Sequence, residues 1–335
     1  MSESWAMTLS SERLPIGLLG LLLVLPVCAA DVDNARIWLD KMENAVEHLN
    51  YDGTFIYQHD DQLEAVRILH QAGPKGERER LISLNGAARE VVRSGDEMTC
   101  YMPDQKSVMV GRSHPRKPYS LDLPDDTSQL TKHYSISMGQ TQRMAGHDTR
   151  VVTITPRDAY RYGYRLWLEA SNGMPLKSDL LDEQGTAVEQ MMFTSIQFLP
   201  QIPDELLQTS LNSTGFVWHR DADKTGDIPM EKTDWQVTRL PDGFMLTHHS
   251  RHPLPDSEDV AEHLVYSDAL ASLSVYIEQA GDGKKMLNGV SRMGAANAYG
   301  ALVDGHHVTV VGEVPAATVR LVGESIRHQA APGNP

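Results

Sequence analysis

The sequence predicts a β-rich α+β protein in two parts, a large N-terminal antiparallel sheet or barrel with helices and a smaller C-terminal α+β domain. Three observations predict it. From Tyr164 the residues alternate, with Tyr164, Leu166 and Leu168 on one face and Arg165, Trp167 and Glu169 on the other. That is the period of a half-buried strand, and Asn172-Gly173 follows it as a hairpin turn. Short β-rich runs separated by polar breaks recur from Thr54 to Phe198, which means antiparallel pairing rather than βαβ units. After a Pro- and Gly-marked break, a second series of strands ends in one helix. At 335 residues the chain has room for two domains of about 150 residues each.

Taken in order, residues 1–30 read as a cleavable signal peptide. Leu14 to Val27 forms the apolar stretch, and Cys28-Ala29-Ala30 places small residues before a cut at Asp31. Export with cleavage of this segment is therefore expected. Cleavage would leave Cys100 without a disulfide partner, and it reads as a small apolar strand residue. Asp33 to Leu49 reads as a helix, with Trp38, Met42, Ala45 and Leu49 at helical spacing and Asp31 or Asp33 as cap.

Strands are expected at 54–58, 65–70, 79–84, 89–93, 98–102, 107–110, 134–139 and 150–155, with a helical turn at 126–132. The hairpin at 164–181 and a run from Ala187 to Phe198 complete the large domain, 31–200. In the hairpin, the aliphatic face is expected inside and Trp167 outside or at the rim.

Residues 201–228 read as a linker, opened by Pro200 and Pro203. The small domain follows at 229–328, with a tail at 329–335. Trp235 to Leu240 and Phe244 to His249 suggest a hairpin across Pro241-Asp242-Gly243. Strands are expected at 263–266, 273–278 and 308–312. Pro315 opens a helix to about His328, whose stripe is Val319, Val322 and Ile326.

The chemistry is that of a binder. There is no G-x-S-x-G elbow, H-E-x-x-H or phosphate-binding loop, and no cofactor or metal is expected. His248-His249 and His306-His307 are adjacent, so strand geometry sends the members of each pair to opposite faces. Asp plus Glu outnumber Lys plus Arg by 45 to 30, a net charge of −15 that argues against nucleic acid as partner. Within that acidic chain, Arg112, His114, Arg116 and Lys117 crowd one Pro-bearing segment. It reads as a solvated loop or as a contact for an anionic group such as a lipid phosphate.

Several stretches together resemble the RseB/MucB family of periplasmic regulators of the sigma-E envelope-stress pathway. They are Gly53-Thr-Phe-Ile-Tyr57 after a Trp-bearing helix, 84–93, Thr155-Pro-Arg-Asp158 with Tyr162-Gly-Tyr164, 173–177, Leu240-Pro-Asp-Gly-Phe244, 263–270 and 310–315. The resemblance implies a LolA-like open β-barrel for the large domain and an α+β small domain. It also implies a function: binding the periplasmic segment of a membrane-spanning anti-sigma factor, shielding it from site-1 proteolysis, and release by lipopolysaccharide or lipid A. Self-association into a homo-oligomer is a further implication.

Arg239, Arg251 and Tyr266 are the expected anti-sigma contacts, with Arg251 in an Arg-His-Pro-Leu-Pro stretch that resembles the family's exposed Arg-Pro-rich segment. Tyr266 as core, with both arginines as ordinary surface, stays open. Arg112, Arg116 and Lys117 are the expected lipid-phosphate contacts. The main alternative is a lipid or lipoprotein carrier, which would need only the large domain. A remoter one is an enzyme using Cys100.

Overall fold

The computed structural model describes residues 27–329 apart from 75, 113–120, 122, 125, 221–227, 231, 254–259 and 282–285. The first helix, α1, spans Val27–His48 and so starts earlier than its sequence signal. Ala35, Leu39, Met42, Ala45 and Val46 recur at three- and four-residue steps, which lays them on one stripe, and all are buried.

That stripe packs into a single 13-stranded sheet. Its strands are β1 (Tyr51–His59), β2 (Gln62–Gln71), β3 (Arg78–Ser83), β4 (Glu90–Ser94), β5 (Glu97–Met102), β6 (Ser107–Arg112), β7 (Tyr134–Met138), β8 (Gln142–Met144), β9 (His147–Pro156), β10 (Gly163–Glu169), β11 (Pro175–Leu181), β12 (Ala187–Phe198) and β13 (Val217–Arg220). The order is β13-β6-β5-β4-β3-β2-β1-β12-β11-β10-β9-β7, with β8 beside β9. Among the described residues no pairing joins β13 to β7, so the sheet has two edges. The helix α1 packs on β7, β9 and the 3-10 turn Thr127–Lys132, whose start is capped by Asp126 Oδ1 accepting from Ser128 N at 2.9 Å. Tyr51, Phe55, Ile154, Leu166, Leu168 and Phe193 meet the helix stripe in one core. Among the described residues no helix is long and apolar enough to cross a membrane.

The β10–β11 hairpin forms where the sequence places it. Gly173 has φ 86°, a conformation that favours glycine, and Asn172 Oδ1 accepts from Met174 N at 2.9 Å. A Cβ on Gly173 would also lie 2.8 Å from Lys41 Cγ, so the same residue lets α1 approach the turn. Leu166 and Leu168 do face the core. Trp167 points to the opposite face, but it is neither outside nor at a rim: it is 4% exposed. Gln142 Oε1 accepts its indole N–H at 2.7 Å, and the Lys177 ammonium sits 4.2 Å from its ring centroid.

At the end of β10, Glu169 holds the turn by accepting from Ser171 N, Ser171 Oγ and Asn172 N at 2.8, 2.6 and 2.8 Å. Burial raises its pKa, but the hydrogen bonds from Ser171 and Asn172 together outweigh burial and hold the carboxyl below its ordinary value. A lowered folded pKa contributes stability that is complete above the unfolded value and is lost as pH falls through the folded one. Thermal melts of the native chain between about pH 3 and 6 should therefore fall more steeply than those of Glu169→Gln; parallel curves would refute this.

The segment after β12 was expected to be a linker. Instead it is seated on the outer face of the sheet. Ile202 and Leu207 pack on Leu69, and Arg80 Nη1 donates to the Leu206 carbonyl at 3.1 Å. The segment then adds β13 parallel to β6. Trp218 lies edge-on to Tyr101 at 6.2 Å.

The small domain contains β14 (Ile228–Pro229), β15 (Trp235–Val237), β16 (Met245–Pro253), β17 (Val260–Ser267), β18 (Ser272–Gln279), β19 (Gly289–Met293), β20 (Ala296–Val303), β21 (His306–Gly312), α2 (Ala316–Ser325) and β22 (Ile326–His328). A 7-stranded sheet runs β14-β16-β17-β18-β21-β20-β19. Leu264, Leu273, Val275, Val308 and Val310 meet Val319, Val322 and Ile326 across it. The hairpin expected from Trp235 does not form. Trp235 pairs with His328 at the end of the chain, and its ring lies 4.7 Å from that imidazole. The terminal helix is shorter than expected for the same reason, since its last residues become β22. Pro315 caps it from just outside.

Candidate functional site

The inner face of the large sheet is read directly from strand register. Ile196, Gly53, Ile68, Leu81, Val91, Cys100 and Met109 lie opposite one another across successive strands, and their side chains share the helix-facing side. Exposure rises along this row. Ile68 is 0% exposed, Leu81, Val91 and Cys100 are half-buried, and Met109 is 50% exposed. The gradient has a simple cause: α1 lies over β7 and β9, at the other end of the sheet order. Strands β3 to β6 thus present an apolar inner row away from the main contacts of α1, ending at the edge beside His219 of β13. Such a row can receive a hydrocarbon chain or an apolar side chain.

Charge occurs on both faces of these strands: Arg80 pairs with Glu90 at 2.8 Å on the outer face, and Arg93 with Glu79 at 3.1 Å beside the apolar row on the inner one. Cys100 stands in the apolar row, and burial pushes its thiol up despite the field of Arg89. That disfavours the thiolate a nucleophile needs.

Arg112, the first of the expected phosphate contacts, is exposed at the end of β6 opposite Glu97. Arg116 and Lys117 lie outside the described residues. Arg220 is a further exposed cation on this edge, one strand over and opposite Val110. Sequence reading missed it because nothing local marks 217–220 as a strand beside β6.

The expected anti-sigma contacts do not form one patch. Arg239 is exposed, follows β15 and lies 3.6 Å from Glu324 at the end of α2. Arg251 is exposed on β16 opposite Glu262. Tyr266 is 6% exposed and belongs to the small domain's core, the alternative the sequence leaves open. It stands opposite Leu246, five residues from Arg251 along the ladder, roughly 17 Å of strand. Its phenol is raised, first by burial and then by Glu262. A ring so placed supports the sheet and offers no contact surface.

The histidine pairs separate as strand geometry requires. His249 lies 2.8 Å from Glu262, while His248 faces His263 at 6.1 Å. His307 Nε2 lies 2.8 Å from the Leu287 carbonyl, while His306 packs on Trp235. Among the described residues, no group of three or more His, Cys, Asp or Glu is arranged to hold a metal ion.

Comparison with known proteins gives a consistent result along the chain. The family model described as the MucB/RseB N-terminal domain matches residues 34–211, and that of the MucB/RseB C-terminal domain matches 229–327. The sequence is 33% identical over 323 residues to the sigma factor AlgU regulatory protein MucB of Pseudomonas aeruginosa, covering 94% of this chain and 96% of that protein. It is 28% identical over 298 residues to the sigma-E factor regulatory protein RseB of Escherichia coli K12, covering 88% and 90%. Among solved structures, a crystal structure of MucB in complex with MucA(peri) superposes with a TM-score of 0.69 at 31% identity, covering 89% of this chain and 100% of that one.

Proposed function

The chain belongs to the MucB/RseB family, and on that premise we propose that it is a negative regulator of the sigma-E envelope-stress response acting in the periplasm. Its role is to bind the periplasmic segment of a membrane anti-sigma factor and shield that segment from site-1 proteolysis. Lipopolysaccharide, through its lipid A part, releases the segment. The observation that carries this reading is the likeness, over most of both chains, to a MucB whose structure holds MucA(peri).

The apolar inner row from Leu81 to Met109 supports the lipid half of the proposal. Acyl chains would lie against it, and Arg112, with Arg116 and Lys117, would meet the phosphates. Arg239 and Arg251 are the proposed anti-sigma contacts. The protein acts by binding, without a catalytic step.

The test is capture of the periplasmic segment of the anti-sigma factor from the same genome by the mature chain, with and without lipid A. Binding that lipid A reverses is the expected result. Val91→Glu places a carboxylate in the inner row and should weaken lipid A binding at least about tenfold, the equivalent of about 1.4 kcal/mol, while sparing capture. Reversing Arg112, Arg116 and Lys117 to Glu should weaken it too and flatten its salt dependence. No capture in either condition refutes the regulator reading. If lipid nevertheless moves between vesicles, the protein is a carrier.

A further inference from the structure

The loop between β9 and β10, residues 157–162, leaves the large sheet and enters the small domain with three consecutive residues. The Tyr160 carbonyl accepts from Thr318 Oγ1 at 2.6 Å. Arg161 donates through Nη1 to Asp268 Oδ2 at 2.5 Å and through Nη2 to the Asp242 carbonyl at 2.6 Å. The Tyr162 hydroxyl accepts from Asn297 Nδ2 at 3.1 Å. The side chains of Arg161 and Asp268 are both 0% exposed.

The pair is held by further described polar partners. Asp158, on the same loop, lies 3.1 Å from Arg161 Nη2. Asp268 Oδ2 also accepts the Tyr134 hydroxyl at 2.9 Å, and its Oδ1 accepts from Leu270 N and Ala271 N at 3.0 and 2.7 Å. Tyr134 and Phe244 flank the guanidinium at 5.6 and 5.1 Å. Tyr134 is at the same time a wall of the core under α1, and Leu270 of the small domain reaches that core. Other described contacts of the seam include the apolar trio Tyr162, Leu180 and Ala295, a turn held by Asp60 and Glu189 through Gly294 N and Ala295 N at 2.9 and 3.0 Å, and His133, which lies 3.9 Å from Asp242 and packs against Gly243.

A buried ion pair adds little net stability over apolar side chains of the same volume, because desolvation offsets the attraction. What it adds is direction, since a guanidinium fork accepts its partners in one geometry. Domains in one chain move relative to each other unless their interface is large and hydrophobic, and this seam is centred on polar groups instead. We propose that Arg161 is a positioning residue: its pair with Asp268 sets the relative orientation of the two domains. Surfaces on both are then presented together to one partner. The use rests on the partner reading above; the orientation does not, and its test needs no partner.

Spin labels at Thr194→Cys and Arg320→Cys, in a Cys100→Ser background of the mature chain, report the interdomain distance by double electron–electron resonance. Both positions are exposed. The native pair should give one narrow distance peak. Arg161→Met with Asp268→Leu keeps the seam apolar and filled, and should remain folded by near-ultraviolet circular dichroism yet lose the single peak for a broad or split distribution. Arg161→Lys, one cation without the fork, should broaden it as well and serves if the double variant does not fold. A native-width peak in whichever variant folds overturns the proposal.

Discussion

Arg80→Ala is expected to cost about 3–5 kcal/mol of stability, the range for removing one partner of a buried ion pair. Arg80 meets Glu90 with two parallel hydrogen bonds, Nε to Oε1 at 2.8 Å and Nη2 to Oε2 at 3.1 Å. The residues are 6% and 3% exposed. Alanine would leave the Glu90 carboxylate buried on the outer face without its cation. The guanidinium also donates to the Leu206 carbonyl and to Ser210 Oγ, each at 3.1 Å, so it clips the connecting segment to β3. Releasing that clip loosens Ile202 and Leu207 over Leu69 and, beyond them, the approach to β13.

Two controls separate charge from packing. Arg80→Met with Glu90→Leu removes both charges and should recover most of the loss. The exposed pair Arg239–Glu324, at 3.6 Å, should cost no more than about 1 kcal/mol when broken. Urea midpoints at constant m-value are the measurement. A loss for Arg80→Ala as small as that of the exposed pair would show that water reaches Glu90, and the account would fail.

The strands were legible because each carries its own period. Tyr164, Leu166 and Leu168 announce one face of β10 from the sequence alone, and Asn172-Gly173 announces its turn. What local pattern cannot supply is the cover brought by distant residues. Alternation with the leucines predicts Trp167 outside or at the rim. Its partner Gln142 sits on β8, a three-residue strand too short to show a period, 25 positions away. Trp235 was paired with the nearer run at 244–249, since turn signals favour neighbours; the true partner is the chain's end at His328. The parallel addition of β13 has no turn signature at all.

At the candidate site the same division holds. The apolar row from Leu81 to Met109 follows from strand assignments once the register is known, and the register needs the structure. Arg161 is harder still. A charged residue in a Tyr-rich loop carries no mark of burial, and only the meeting with Asp268 across the seam reveals it.

Gly300→Ala should be strongly destabilising, against the usual sign of the change. A glycine within a strand normally weakens it, and alanine gains about 0.4–1 kcal/mol by restricting the unfolded chain. Here a Cβ would lie 2.1 Å from the Leu287 carbonyl oxygen and 2.6 Å from its carbon. Main chain cannot swing aside as a side-chain tip can, so residues 286–288 must move away from β20. That displacement has a second consequence. The Leu287 carbonyl is the partner of His307 Nε2 at 2.8 Å, and His307 is 5% exposed. Overpacking costs about 1–3 kcal/mol and an orphaned buried polar group about 1–3 more, for a net loss of roughly 1–5 kcal/mol. The mechanism makes a sharper claim than the magnitude. If part of the loss is His307's, it cannot be lost twice, so Gly300→Ala and His307→Ala must be less than additive in a double-mutant cycle. Additive losses would confine the effect to the clash. An unchanged midpoint for Gly300→Ala would mean that Leu287 yields freely, and would remove the claim that close main-chain approach holds residues 286–289 on the sheet.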